Sequence, residues 1–118
     1  MSSETLHAPR ERLSKETLAM HQAIASLMEE LEAADWYDQR IAGSDNAELR
    51  AVLTHNRDEE KEHAAMLLEW LRRHDAALDR HLRAQLFRDG AIRVTAAVEQ
   101  EASPGAGDGS LGIGSLRA

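Results

Sequence analysis

Cysteine is absent from the 118 residues, which removes disulfides, thiolate-bound zinc and iron–sulfur clusters from consideration. Aromatic residues are scarce, with one Phe, one Tyr and two Trp, so the palette that strands favour is missing. What remains is rich in Ala, Leu, Glu and Arg, the residues of helices. No long apolar run occurs, and Met1 to Leu13 alternates polar and charged residues. Neither a signal peptide nor a membrane partner is expected, and a cytoplasmic location follows. Positive charge is also in deficit. The net charge of −7 leaves no basic face for nucleic acid and favours the approach of cations.

The length suits one domain, expected over residues 1–97, with a flexible linker at 98–109 and a separate terminal segment at 110–118. From about Pro9 to Tyr37 the residues Leu13, Thr17, Met20, Ile24, Leu27, Leu31 and Ala34 step by fours and threes, the seam of a bundle helix. Asp38 to Asn46 reads as a turn and a start signal. A second helix is predicted from Ala47 to His74, with Leu49, Leu53, Asn56, Glu60, His63, Leu67, Trp70 and His74 on one stripe. A shorter third, from Ala76 to Phe87, carries Leu78, Leu82 and Leu86 on one side and ends before Asp89-Gly90. The predicted class is all-α: an antiparallel two-helix hairpin plus a short C-terminal helix. A hairpin of this size hides little of its own surface, so association is expected.

The second stripe is apolar at both ends and polar in the middle. Burying a carboxylate and an imidazole there is costly unless something satisfies them. Glu60 and His63 are three residues apart and neighbours on one helical face, so together they can offer an oxygen and a nitrogen to one cation. Glu59 is four before His63 and could share its face, but Glu60 fits the seam better. The first helix adds Glu29, Glu30, Glu32, Asp35 and Asp38, with no base among them. Acids toward a helix C-terminus oppose the dipole, so helix stability does not explain them; cation binding does. Glu30 flanks the seam beside Leu27, Leu31 and Ala34.

Carboxylates with one imidazole per metal suit Fe and Mn and, less selectively, Zn. Di-metal bundles take a Glu from each of two helices and a Glu-x-x-His from each of two others. One chain supplies half of that set: Glu30, Glu60 and His63. Two chains related by a two-fold axis supply all of it, and a four-helix bundle results.

Three blocks carry a resemblance. They are Ser26 to Arg40 (SLMEELEAADWYDQR), His55 to Met66 (HNRDEEKEHAAM) and Leu68 to Arg73 (LEWLRR). Over about residues 10 to 90 the chain resembles the encapsulated ferritins. The resemblance implies a half-ferritin whose subunits pair into a ferroxidase centre, oxidising Fe(II) with dioxygen, and assemble into a ring of dimers, a decamer. It implies Glu30, Glu60 and His63 as ligands of a di-iron centre, with Tyr37 beside it. Glu29, Glu32 and Trp36 would then form a path for metal access, where Ca or another divalent cation could also sit. His21, His55, His74 and His81 are expected to be surface or packing residues.

The last segment, Leu111-Gly112-Ile113-Gly114-Ser115-Leu116, is similar to the peptides that dock cargo inside encapsulin shells. Two large aliphatics spaced by glycines can enter small pockets in extended form, and a linker of Ala, Ser, Pro and Gly gives reach. The resemblance therefore implies an encapsulin shell protein as partner and a nanocompartment as location. On the residues alone, a non-redox metal buffer and a helical adaptor are rival functions.

Overall fold

The computed structural model describes residues 6–94. All regular structure among them is helical: a 3₁₀ turn at Arg10–Arg12, then α1 (Lys15–Gly43), α2 (Ala47–His74) and α3 (Ala76–Gln85). The linker and terminal segment expected at 98–109 and 110–118 lie outside the described residues. The described residues fall into two compact units, divided after Leu71.

Each helix begins on a side-chain cap. The Ser14 hydroxyl oxygen accepts the Thr17 N–H at 3.0 Å. Asn46 accepts from the Leu49 N–H at 2.9 Å, and Asp75 from the Leu78 N–H at 2.9 Å. Losing such a cap costs roughly 1 kcal/mol. Pro9 was expected within the first long helix; it leads into the 3₁₀ turn instead, and Leu13 is extended at φ −98°, ψ 130°. At its other end α1 runs six residues past Tyr37 to Gly43. The cause lies in the next helix. The Arg50 guanidinium donates to the Ile41 carbonyl and, at 3.1 Å, to that of Ser44, supplying donors that the end of a helix otherwise lacks.

In the first unit, cross-links between α1 and α2 join residues progressively further apart in sequence: Arg50 to Ile41, Arg57 to Asp38, His63 to Glu30. That order is an antiparallel hairpin. Its buried residues are small: Ala23, Ala25 and Ala34 from α1 and Ala64 from α2, joined by Leu71. The helices therefore meet along Met20, Ala23, Leu27, Glu30, Ala34, Tyr37 and Ile41, all buried or half-buried. Ile24 and Leu31, expected in this seam, stay about half exposed, as do Met28, Val52 and Met66. Alanine lets helix axes approach closely, so the track bearing Ala23 and Ala34 turns inward and Ile24, Met28 and Leu31 remain outside.

The second unit holds the end of α2 and α3. Asp79 accepts from Arg72 and from Arg83 Nε at 2.9 Å; the Arg72 bond, then Arg83, holds its carboxyl below the usual range. α3 stops at Gln85, two residues short of the expected end, when the Leu86 N–H bonds to the Leu82 carbonyl at 2.8 Å. Phe87 then takes a left-handed φ of 59°, unusual outside glycine, and Gly90 a φ of 87° that glycine adopts freely.

Candidate metal centre

Glu30 comes from α1, and Glu60 and His63 from α2, one helical turn apart. Because Glu30 lies on the inward track, not beside it, its carboxylate faces α2 directly. His63 Nδ1 lies 3.4 Å from Glu30 Oε1 and 3.5 Å from Glu60 Oε1. One ligand atom from each residue falls within 4.8 Å of the other two. The two carboxylates are about three-quarters shielded from solvent, whereas His63 is 47% exposed. The site is thus closed toward the hairpin and open on its outer side.

The electrostatics are those of a site short of positive charge. Sharing a hydrogen bond with Glu60 raises the Glu30 carboxyl above its usual 4.5; burial and the Glu60 charge add to this, and His63 offsets only part. For His63, burial pulls the imidazole down, but the charges and hydrogen bonds of Glu30 and Glu60 outweigh it and leave it above 6.5. Two carboxylates at this spacing hold a proton between them or require a cation. A divalent ion meets that need, with oxygen and imidazole donors of the type that Fe, Mn and Zn accept.

Glu59 pairs instead with His55 Nε2 at 3.3 Å, and the three-residue group contains Glu60 and not Glu59. Glu29 and Glu32 are exposed on α1 outside the three-residue group. Trp36 is half exposed and lines a shallow depression with Gln39 and Arg40. Tyr37 lies about two turns from Glu30 on the inward track, with the Arg40 guanidinium 5.4 Å above its ring centroid. Arg57 carries no role assigned from sequence alone. Its Nη1 reaches Asp38 Oδ1 at 2.9 Å and its Nε reaches Asp58 Oδ1 at 3.1 Å. Arg57 sits three residues before Glu60 and therefore on the same face, a spacing that could have flagged it.

A family model described as EncFtn-like matches residues 5–89, a span that contains every one of these side chains. The chain belongs to the EncFtn-like family. It is 56% identical to the encapsulated ferritin-like protein of Rhodospirillum rubrum, across 98% of this chain and 90% of that one. It is 43% identical to the ferritin-like protein of Thermotoga maritima, across 97% and 99% of the two chains. The encapsulin nanocompartment cargo protein EncC of Myxococcus xanthus is 34% identical over 75% of this chain and 76% of its own. Among solved structures, protein ne0167 from Nitrosomonas europaea superposes with a TM-score of 0.73 at 54% identity, covering 77% of this chain and all of that one. Membership agrees with the all-helical architecture. No helix of the described residues is long and apolar enough to cross a membrane.

Proposed function

We propose that this EncFtn-like protein oxidises Fe(II) to Fe(III) with dioxygen at a di-iron centre shared by two chains. The observation that carries the reading is the convergence of Glu30, Glu60 and His63 to within 4.8 Å, open on one side. Two carboxylates and one imidazole are too few donors for a pair of irons. A second copy across a two-fold axis doubles them to the set used by ferritin-like di-metal bundles. The half-exposed apolar residues Ile24, Met28, Leu31 and Met66, which the hairpin leaves uncovered, supply the surface such a copy would bury.

In this reading Fe(II) is the substrate. Glu60 and Glu30 bind it by oxygen and His63 by nitrogen, once the imidazole has released its proton. Each iron yields one electron to dioxygen, and the carboxylate-rich set favours the more highly charged product. Exposed Glu29 and Glu32, with Trp36 about one turn beyond Glu32 on the same helix, gather incoming cations, Ca among them; Tyr37 supports the site from further along the inward track. The pairs of chains assemble further into a ring, a decamer.

The terminal segment, Leu111 to Leu116, acts as the docking peptide for an encapsulin shell, with 98–109 as its tether to the helical domain. Two relatives bear names that place them in such compartments, and the likeness to the Rhodospirillum protein covers 98% of the chain, well past the helices. The shell would then retain the oxidised iron in the cytoplasm.

Oxygen uptake on adding an anaerobic Fe(II) solution to the air-equilibrated protein tests the proposal. Uptake well above that of free Fe(II), lost in Glu30→Ala, Glu60→Ala and His63→Ala while helix content persists, is the expected result. Stoichiometric iron binding without uptake would make the protein a buffer; no retained iron would leave only an adaptor.

A further inference from the structure

We infer that Asp38 serves the metal site by holding the Arg57 guanidinium away from it. The inference rests on Glu30, Glu60 and His63 binding metal, as proposed above. Arg57 lies one turn from Glu60 on the same face of α2, close enough for the two side chains to meet. A guanidinium is the organic cation best shaped to occupy a carboxylate pair, with five donors in a planar fork. Glu30 and Glu60 form such a pair, and their mutual hydrogen bond and like charge leave them in need of a cation. A released Arg57 would compete with the metal for the oxygens of Glu60.

In the structure it is not released. Its Nη1 donates to Asp38 Oδ1 at 2.9 Å, and this bond comes from the opposite helix on the side of the hairpin turn, away from Glu60. Asp58 holds only the Nε, at 3.1 Å. As the adjacent residue on the same helix, it does not decide which way the far end of the group swings. Arg57 is also directed by its backbone, because helical side chains lean toward the N-terminus. The competing pair has the less favourable order, base before acid, so one well-placed carboxylate suffices to prevent it. Asp38 is thus a positioning residue that acts through Arg57.

Two other accounts of Asp38 predict different outcomes. As a plain clamp between helices, it would be needed only as one half of the pair, so losing either partner would do equal harm. As one more negative charge near the site, it would be interchangeable with other acids. Titration of the full-length protein with Co(II), followed by calorimetry, separates these. Asp38→Ala should weaken binding by about three- to fivefold, the scale of a part-exposed ion pair. Asp38→Asn, which keeps the shape but not the charge, should weaken it similarly, and serves if the alanine variant folds poorly. Arg57→Ala should leave affinity within about twofold of the parent, and the double variant Asp38→Ala/Arg57→Ala should match it. Glu62→Gln removes an exposed acid nearer Glu60 and should change little. Equal weakening by Arg57→Ala and Asp38→Ala would overturn the inference in favour of a clamp. Equal weakening by Glu62→Gln and Asp38→Ala would reduce it to net charge, and parent-like binding by both Asp38 variants would refute it outright. A parent protein that binds Co(II) no better than Glu60→Ala would remove the metal site itself, and this inference with it.

Discussion

In the proposed centre, protons and metal ions would compete for the same atoms of Glu30 and His63, and the fold raises the proton affinity of both groups. A raised pKa means that the folded chain binds protons more tightly than the unfolded one, so the stability these groups contribute is present at low pH and lost as pH rises through their folded values. Asp79 acts oppositely, but only around and below its usual 3.8. Above that range the metal-free protein should lose thermal stability as pH rises from weakly acidic through the window just above 6.5. A ligating imidazole must be neutral and a ligating carboxylate ionised. With a divalent metal present, the trend should reverse over the same window. Melting curves with and without Co(II) across that pH range check both slopes; parallel curves would mean that these groups do not meet the metal. His63→Ala should flatten the upper part of each.

At the scale of an element, α1 carries two tracks that share Met20, Leu27 and Ala34. One continues through Ile24 and Leu31, the other through Ala23 and Glu30. Hydrophobicity favours the first, which is why Glu30 reads from sequence as a flanking residue. Packing favours the second, because alanine permits an approach that leucine blocks. The pairing of Glu60 with His63 was legible because it needs only the spacing of one helix. The length of α1 was not, because the donor that prolongs it, Arg50, belongs to α2. The partner of Glu59, His55, was open to reading at four residues' distance. For the terminal element, deleting residues 110–118 should leave iron oxidation in solution unchanged and abolish co-purification with a coexpressed encapsulin shell. Encapsulation of the shortened chain would refute the docking role and leave the oxidation chemistry untouched.

For the whole molecule, the proposed centre would tie metal to assembly through its count of donors. Joining two chains at the open side of the site brings four carboxylates together, and without a cation their repulsion weakens the contact. Metal that binds the pair and not the single chain shifts the equilibrium toward the pair by mass action. Native mass spectrometry should show metal-free protein with a substantial low-mass population that moves to higher oligomers when Fe(II) is added under anaerobic conditions. Glu30→Ala, which relieves repulsion, should associate more strongly than His63→Ala when metal is absent. A metal-free protein already fully assembled and unresponsive to dilution would show that the exposed apolar residues suffice by themselves.

The alanines of the hairpin seam act as a caliper. Ala34 sits one turn from Glu30, and Ala64 follows His63 directly, so the bulk at these two points sets the gap across which the three ligands must reach. Axial separations between packed helices span roughly 8 to 10 Å according to the side chains in contact, and a ligand set spread over less than 5 Å has little tolerance for the upper end of that range. The bore of the site is therefore tuned by residues that carry no donor atoms at all. In the proposed centre, methyl groups added there should change which ion fits without altering a single ligand, and ionic radius would be selected by the plainest residues of the hairpin.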